Sequence, residues 1–466
     1  MSRAGNALLA GLADRGGLTG GVSDALCEVR ERRPRHDPGQ VVRNLAVMPA
    51  DGSDCLRTWA FCKFSSAETS VSSAVQCAGP RAALGDRRNG VGSQRWRRRS
   101  PPFRFTATIA GAATRLTDPL RFDGRGAPAI SVLHRIGGIV YPKIELHVHL
   151  EATVTPGTLL EIARRNDQLL PAMTVEGLRE LYRYRDFDHF IEIWTLTTNA
   201  LRHYDDFRQV VVDYAAAARR HGAVYIEGIF SPIERHWRGV DLDQVFAGYC
   251  DGAQEARELH GVEVRLTPDI TRGASLEDAH RAVRYAMKYR DRGVVGIGLG
   301  GEENLYPPEP FAPVFRLAKA EGLASVPHAG EVVGVESVRG ALDALGADRI
   351  RHGIRAADDP GLLREIAGRQ LVLDVCPISN LRTGAVRSLA EHPLPQLVAA
   401  GVQCSISTDD PEMFDTDLSR DYAAATSFGL SPRLFYEAGV EGAVCDADTR
   451  DRLRRIGQSY EWSDAA

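Results

Sequence analysis

Residues 143–151 have the sequence K-I-E-L-H-V-H-L-E, and this stretch decides the fold prediction for the whole chain. In a β-strand successive side chains point to opposite faces, so His147 and His149 would share one face and Val148 would occupy the other. The two imidazoles would lie about 7 Å apart along the strand, close enough to bind one transition-metal ion. A lone H-x-H is more often a pair of unrelated polar residues, so the metal hypothesis depends on the rest of the chain.

Seven further β-rich runs follow the first one, with helical stretches between them. The eight runs cover 143–150, 223–230, 262–270, 294–301, 324–331, 349–354, 371–377 and 402–409. Amphipathic helical patterns lie at 157–166, 205–221, 276–291, 308–321, 335–346 and 360–369. This alternation predicts an α/β fold, a (β/α)8 TIM barrel, rather than an open doubly wound sheet. The stretch after residue 411 is expected to form terminal helices that close the barrel.

The connection between the first two predicted strands, about 150–222, is unusually long. It contains the aromatic-rich segment Y-R-Y-R-D-F-D-H-F at 182–190. A connection of this length is often functional, so the segment is expected to form a lid or a pocket wall. The alternative is an ordinary helical insertion that packs on the barrel rim.

Composition limits the class of partner. The chain has 466 residues, 44% hydrophobic and 25% charged, as in a soluble globular protein. A formal net charge of -4 argues against a nucleic-acid groove or a membrane-surface protein, so a small-molecule partner is expected. No apolar run of about 18 residues occurs, which excludes a predicted membrane span. The eight cysteines show no C-x-x-C spacing, which predicts reduced thiols and a cytoplasmic protein.

Residues 1–135 differ from the rest of the chain. They are rich in Gly, Ser and Arg and show no sustained apolar period. Three interpretations remain open: a disordered Arg-rich tail, a targeting peptide, which the acidic residues disfavour, and a segment upstream of the true start codon. We therefore predict an irregular N-terminal extension over 1–135 and a catalytic domain over 136–466.

Chemically reactive side chains follow five of the predicted strands, where the active sites of barrels assemble. Any one of them alone would be assigned to the core or to a strand-end cap, but their joint position favours a common site. His147, His149 and His328 with the carboxylate of Asp409 make a set of three nitrogens and one oxygen. This set favours zinc, or a similar borderline divalent ion, over calcium or magnesium. The run V-V-G-I-G-L-G-G at 294–301 has no lysine that could bridge two metals, so one ion per chain is expected.

The remaining polar residues at the strand ends suggest how such an ion would be used. A water bound to the ion would have its pKa lowered to about 7. His352 is the candidate to hold that water, and Glu331, three residues after a ligand, is placed to act as acid or base. Asp410 follows a ligand and can face the substrate. The residues alone therefore predict a metal-activated water that attacks a polarised carbon.

Six motifs in this chain resemble those of the adenosine deaminase family in order and spacing. They are P-K-I-E-L-H-V-H-L-E, G-L-G-G-E-E, H-A-G-E, R-H-G, C-P-I-S-N-L-R-T-G and S-T-D-D-P, and the resemblance covers about residues 141–440. It implies a TIM barrel of the metal-dependent hydrolase type and the replacement of a purine 6-amino group by oxygen, with release of ammonia. The H-x-E and P-C-x-x-C pattern of the other zinc deaminase class is absent, so nucleic-acid substrates are not expected.

The resemblance also implies a role for each site residue. Glu331 would donate a proton to purine N1, and His352 would orient and deprotonate the attacking water. Asp410 would contact N7, and Gly301 would meet N3 through its backbone. The implied zinc ligands are His147, His149, His328 and Asp409.

The departures from the family concern the substrate. The family usually follows H-x-H-L with Asp-Gly, where the Asp meets the ribose 5′-hydroxyl, whereas this chain has Glu151 and Ala152. The family's Arg before the aromatic-Ser-Pro of strand two is missing, and Arg235 follows a turn later. Gly298 replaces the family's Asp on strand four.

An altered ribose 5′ side resembles relatives that deaminate 6-amino-6-deoxyfutalosine, a menaquinone-pathway adenine nucleoside with a carboxyphenyl-ketone arm. Glu151, with Arg235 or Arg355, would serve that arm; alternatively Glu151 binds a plain ribose and both arginines are solvated. The expected substrates are, in order, aminodeoxyfutalosine, adenosine and free adenine. A catalytically silent nucleoside-binding relative, or an amidohydrolase acting on an ester or amide, remains the competing class.

Overall fold

The computed structural model describes residues 140–462, so the predicted extension over 1–135 lies outside the described residues. Ten β-strands lie within this range, and every paired neighbour is parallel. Their hydrogen-bonded order is β1-β2-β3, β4-β5-β6 and β10-β9-β8-β7. The strands are β1 Lys143–His149, β2 Ala223–Ile229, β3 Glu263–Leu266, β4 Asp269–Thr271, β5 Gly296–Gly300, β6 Ala324–Ser325, β7 His328–Ala329, β8 Ile350–His352, β9 Val372–Val375 and β10 Gln403–Ile406.

Each of the eight predicted β-runs contains a strand, and two of them contain a pair. Pro268 separates β3 from β4, and Pro327 separates β6 from β7. Proline has no N–H to donate, so the strand pairing is interrupted at these two positions. The proline carbonyls still accept from the next strands, Pro268 from Gly298 N at 3.0 Å and Pro327 from Arg351 N at 2.9 Å.

Backbone hydrogen bonds also join the three groups of strands. Asp409 N donates to His147 O at 3.1 Å and His149 N donates to Asp409 O at 2.8 Å, which connects the residues after β10 to β1. Val295 N donates to Leu266 O at 2.9 Å, just ahead of β5. Because all the strands run parallel, their carboxyl ends lie at one edge, where the predicted site residues follow them.

Sixteen α-helices in residues 140–462 accompany the strands, and each predicted helical stretch contains one. Predicted helix 276–291 ends at Lys288 and continues as a 3₁₀ turn, Arg290–Arg292, which the left-handed Gly293 terminates. The helices are α1 Pro156–Arg165, α2 Val175–Leu181, α3 Phe187–Thr198, α4 Tyr204–Arg220, α5 Pro232–Trp237, α6 Leu242–His260, α7 Leu276–Lys288, α8 Ala312–Ala320, α9 Val335–Asp343, α10 Pro360–Gly368, α11 Pro377–Arg382, α12 Leu394–Ala399, α13 Pro411–Phe414, α14 Leu418–Thr426, α15 Pro432–Gly442 and α16 Ala447–Ser459. None of them is both long and apolar enough to cross a bilayer.

The long connection between β1 and β2 is helical, and its aromatic segment packs on the residues that follow β10. Phe190 of α3 lies with its ring centroid 5.2 Å from that of Tyr184 and 5.0 Å from that of Phe414 in α13. Phe187 and Phe190 also line the cavity described below. The segment therefore has both of the expected features, since it is a helical insertion and also forms a pocket wall.

A buried ion cluster links strands that are distant in sequence. The Arg349 guanidinium, 1% exposed, donates to Glu227 Oε2 of β2 at 2.7 Å and to Asp374 Oδ2 of β9 at 2.6 Å. Removing one partner of such a buried pair typically costs about 3–5 kcal/mol, because the other charge is left uncompensated. The four cysteines in the described range, Cys250, Cys376, Cys404 and Cys445, are free thiols.

Candidate active site

Four side chains that follow or end strands bring one donor atom each to a common point. His147 and His149 lie at the end of β1, His328 begins β7, and Asp409 follows β10. The Nε2 atom of His328 lies 3.0 Å from His147 Nε2 and 3.2 Å from His149 Nε2. Oδ1 of Asp409 lies 3.1 Å from His147 Nε2 and 3.3 Å from His149 Nε2.

This spacing fits a single small divalent ion. Ligand atoms about 2.0 Å from one zinc ion lie within about 4 Å of one another. The separations of 3.0–3.3 Å between the donor atoms fall within that limit. Nitrogen and carboxylate oxygen donors in this ratio also match the chemistry of zinc sites. The donor set therefore fits one divalent ion.

The three imidazoles near this point that have shifted pKa values are electrically neutral. Burial lowers the pKa of His149 to about 4 and that of His352 to about 3. Burial also holds the pKa of His147 well below its usual value. Only a neutral imidazole has a lone pair free for a metal, so burial keeps these rings in the form that can bind one.

The orientation of His328 depends on a residue that the sequence did not indicate. Nδ1 of His328 lies 3.1 Å from the carbonyl oxygen of Leu299 and 3.3 Å from Oδ2 of Asp269 on β4. Since both oxygens only accept, Nδ1 carries the proton and Nε2 is left for the metal. A Cβ atom added at Gly298 would lie 2.0 Å from Asp269 Oδ1, so the glycine leaves the space that Asp269 occupies.

Two residues of the site have a left-handed backbone. The φ angles are 60° at His352 and 67° at Asp409, which non-glycine residues adopt at a cost of roughly 1–3 kcal/mol. Asp409 is held there by its backbone bonds to β1. The conformation turns both side chains toward the donor cluster.

Glu331 and His352 lie beside the four donors. Nε2 of His352 lies 3.5 Å from Glu331 Oε2 and 3.7 Å from Asp409 Oδ2. Two residues of the motif C-P-I-S-N-L-R-T-G contact this arrangement. Asn380 Nδ2 lies 3.1 Å from His352 Nδ1, and Ser379 Oγ donates to Asp409 Oδ2 at 2.6 Å. A carboxyl group, an imidazole and the donor cluster therefore occupy one small volume.

Glu331 is held in its protonated form by its surroundings. Burial, and then the negative charges of Asp409 and Glu303, raise its pKa well above the ordinary value for a carboxyl group. Thr383 Oγ1 donates to Glu331 Oε1 at 3.3 Å. A protonated carboxyl at neutral pH can act as a general acid.

The segment that carries Glu331 is anchored by Glu303, the last residue of G-L-G-G-E-E. Its carboxylate accepts from four successive backbone N–H groups, those of residues 330–333, at 2.5–3.2 Å. The Ser337 hydroxyl donates to it at 2.5 Å. Burial alone would raise the pKa of Glu303, but the Ser337 and backbone hydrogen bonds bring it below its usual value.

A cavity of about 400 Å³ opens over the donor cluster, within the usual size range of small-molecule sites. Gly301, at φ 105°, and Asp410 line it. Trp194 Nε1 donates to Asp410 Oδ1 at 2.9 Å. Burial, and then the charge of Asp409, raise the pKa of Asp410 well above its usual value, so it can donate a hydrogen bond to a ring nitrogen.

Comparison with known proteins agrees with this geometry. The family model for adenosine deaminase matches residues 142–456, more than half of the chain. The chain belongs to the adenosine deaminase family. An aminodeoxyfutalosine deaminase from Acidothermus cellulolyticus is 56% identical over 328 residues, which cover 69% of this deaminase and 92% of that relative. Another from Streptomyces avermitilis is 39% identical and covers 73% and 97% of the two chains.

Solved structures of deaminases and amidohydrolases are also similar. An adenine deaminase from Arthrobacter aurescens is 28% identical with a TM-score of 0.65, over 68% of this chain and 98% of that one. An amidohydrolase from Burkholderia ambifaria with bound zinc is 27% identical with a TM-score of 0.63, over 72% and 94%. Like its relatives, this adenosine deaminase family member is a hydrolase that acts on C–N bonds.

The structure places Glu151 of this deaminase beside the cavity rather than on its surface. Glu151 lies in the 3₁₀ turn after β1 and is 2% exposed. Its Oε1 accepts from Ser231 N at 2.8 Å, and Ser231 itself lines the cavity. Its Oε2 is buried without a hydrogen-bond partner in the described part of the chain. Contact between Glu151 and a substrate stays a prediction.

The two arginines expected to serve the substrate arm are already occupied. Arg235 is 1% exposed and donates to the carbonyl and the hydroxyl of Thr198. Arg355 donates to the Ala385 carbonyl. Neither lines the cavity, because a position near a motif in sequence does not decide which way a long side chain turns.

Replacing the Glu303 carboxylate should lower both the stability and the turnover of this deaminase. In Glu303→Gln one acceptor oxygen becomes an NH₂ donor that faces backbone N–H donors. The free energy of unfolding should fall by about 1–3 kcal/mol, since buried donors lose their acceptor. Turnover should fall with it, because the segment that carries Glu331 loosens. Denaturant unfolding and turnover would be measured beside Ser337→Ala, which removes one bond of the anchor and should have a smaller effect. Equal effects of the two variants would contradict the anchoring role.

Proposed function

We propose that this deaminase hydrolyses the 6-amino group of 6-amino-6-deoxyfutalosine and releases ammonia and the 6-oxo nucleoside, in the cytoplasm, as a step of menaquinone biosynthesis. The observation that carries the proposal is a donor cluster with an adjacent general acid in a chain 56% identical to an aminodeoxyfutalosine deaminase. Glu331, His352 and Asp410 all face this cluster. The competing catalytically silent relative would lack at least one member of the set.

The proposal includes a closed (β/α)8 barrel over a catalytic domain of residues 136–466. The hydrogen bonds of Asp409 to β1 and the parallel strand order support a closed barrel. The family match over 142–456 supports the domain boundary. Active sites of such barrels form at the carboxyl ends of the strands, which is where these donors lie.

The proposed cofactor is one zinc ion per chain, held by His147, His149, His328 and Asp409. When bound there, zinc acts as a Lewis acid that makes water a hydroxide nucleophile near neutral pH. The spacing of the four donor atoms, 3.0–3.3 Å, and the neutral imidazoles support zinc.

Two side chains move protons in the proposed mechanism. Glu331, protonated at neutral pH, donates to purine N1, which makes C6 electrophilic. His352 holds the attacking water and takes its proton. Its 3.5 Å distance from Glu331 and 3.7 Å distance from Asp409 place it between the donor cluster and the acid.

Asp410 and Gly301 orient the purine ring of the substrate. Asp410, fixed by Trp194, contacts N7, and the Gly301 backbone meets N3. Gly301 has the φ angle of 105° that an L side chain rarely adopts, so the chain turns sharply at this point and exposes its backbone to the cavity. The two contacts favour a purine over other cyclic amidines.

Substrate identity is tested by a side-by-side ultraviolet assay of aminodeoxyfutalosine, adenosine and adenine. We expect aminodeoxyfutalosine to have the highest kcat/KM, by tenfold or more. Adenine is a specific second candidate, because an adenine deaminase from Streptomyces coelicolor is 38% identical over 59% of this chain and 80% of that relative. A higher kcat/KM for adenine or adenosine would make that compound the assigned substrate. Absence of turnover on all three compounds would favour a catalytically silent relative.

A further inference from the structure

Three guanidinium groups lie close together on one side of the cavity. Arg202 Nη2 donates to the Arg238 carbonyl at 2.7 Å. Burial, and then the positive charges of Arg235 and Arg238, lower the pKa of Arg202, so Arg202 lies within electrostatic range of both. A local excess of positive charge of this kind attracts an anion.

The nearby carboxylates are directed mainly at Arg235. Glu234 faces Arg235, with Oε2 3.5 Å from Arg235 Nη2, and accepts from Thr271 Oγ1 at 3.3 Å through Oε1. The buried Glu151 also interacts electrostatically with Arg235. Arg235 is 1% exposed and bonded to Thr198, so it does not reach the cavity.

Of the three, only Arg238 lines the cavity. Its side chain is exposed, and no residue between 140 and 462 gives its guanidinium a hydrogen bond or an ion pair. Arg272 also lines the cavity, but its guanidinium donates to the carbonyls of Tyr306 and His328 and is buried. Arg238 is thus the arginine of the cavity wall that is available to a ligand.

Trp237 is an aromatic neighbour of Arg238 in the cavity lining. It is next to Arg238 in the chain and 50% exposed, and its Nε1 donates to Asp278 Oδ2 at 3.1 Å. Phe187 and Trp194 of α3 also line the cavity. An exposed, fixed indole beside a free guanidinium suits a planar aromatic group that ends in an anion.

We propose that Arg238 binds the carboxylate of the substrate's carboxyphenyl arm, with Arg202 behind it and Trp237 against the aryl ring. This inference rests on the proposed substrate and adds the residue that selects it. A guanidinium pairs with a carboxylate through two parallel N–H···O bonds, which a lysine cannot reproduce. Arg238 therefore takes the role that the sequence had suggested for Arg235 or Arg355.

The test compares Arg238→Gln and Arg238→Lys with the unaltered protein on three substrates: aminodeoxyfutalosine, its carboxamide analogue and adenosine. For Arg238→Gln we expect kcat/KM on the carboxylate substrate to fall at least tenfold more than on the amide or on adenosine, chiefly through a higher KM. Arg238→Lys should recover part of that loss, because it restores the charge without the bidentate geometry. Arg316→Gln, an exposed arginine of α8 away from the cavity, is the matched control.

The outcomes separate the inference from the function on which it rests. If the unaltered protein prefers aminodeoxyfutalosine and Arg238→Gln keeps the full preference for carboxylate over amide, the arginine subsite is wrong and the proposed function stands. If the unaltered protein prefers aminodeoxyfutalosine but does not distinguish the acid from the amide, the subsite is again wrong and the proposed function stands. If it does not prefer aminodeoxyfutalosine, both are overturned. An equal loss on all three substrates would show general damage to the site and would also overturn the subsite.

Discussion

Glu331→Gln is expected to retain its metal and lose most of its turnover, by a factor of about 10²–10⁴ in kcat, the usual contribution of a positioned general acid. The glutamine amide matches the carboxyl in shape and accepts the Thr383 hydroxyl bond, but it has no acidic proton to give to purine N1. Because Glu331 is buried and protonated, the substitution removes no net charge from the site. Substrate binding should therefore change much less than turnover.

Steady-state kinetics and metal content would be measured on the same preparation. Glu302→Gln is the matched control, since its carboxyl lines the same cavity without contacting the donor cluster. It should lose far less turnover than Glu331→Gln. Retention of near-normal kcat in Glu331→Gln would assign the proton donor to another residue.

Asp409→Ala is expected to purify without zinc and with turnover reduced by at least about 10³, because without the ion no hydroxide is generated near neutral pH. The carboxylate is one of four donors and the only anion among them. It is also bonded to Ser379, which an alanine would leave without its acceptor. The backbone bonds of residue 409 to β1 do not depend on the side chain, so the fold should survive.

Elemental analysis of the purified protein would give the zinc stoichiometry, and circular dichroism would report the fold. Asp415→Ala is the matched control, because Asp415 also has a left-handed backbone, φ 51°, but its carboxylate is exposed. This control separates the loss of a ligand from the effect of alanine in a strained conformation. A zinc stoichiometry in Asp409→Ala equal to that of the unaltered protein would show that the ligand set is wrong.

The strands were predictable because their signal is local. Each β-rich run contains a strand, since a short run of apolar and β-branched residues is a property of adjacent positions in the chain. Pro327 stands next to His328 in the sequence, but its consequence, the division of one predicted run into two strands, depends on pairing with other strands. Residues whose role depends on a motif, such as His328 and Glu331, were likewise identifiable from the sequence alone.

Residues that act across the fold were not predictable. Asp269 supports His328 from another strand, and Glu303 anchors four N–H groups nearly thirty residues away. Within residues 140–462, Arg235 is hydrogen-bonded to Thr198, whereas the Arg238 guanidinium has no hydrogen bond or ion pair. The hydrogen bond from Ser231 N to one oxygen of Glu151 was also not indicated by the sequence, and contact between Glu151 and a substrate stays a prediction.

The sequence by itself determined the order of the strands and helices, the residue types of the donor set and the family. Only the tertiary structure decided which polar side chains meet, because side-chain direction depends on packing between segments that are far apart in the chain. No local sequence pattern shows which carbonyl an arginine side chain will bind. That choice nevertheless decides which guanidinium remains available to a ligand.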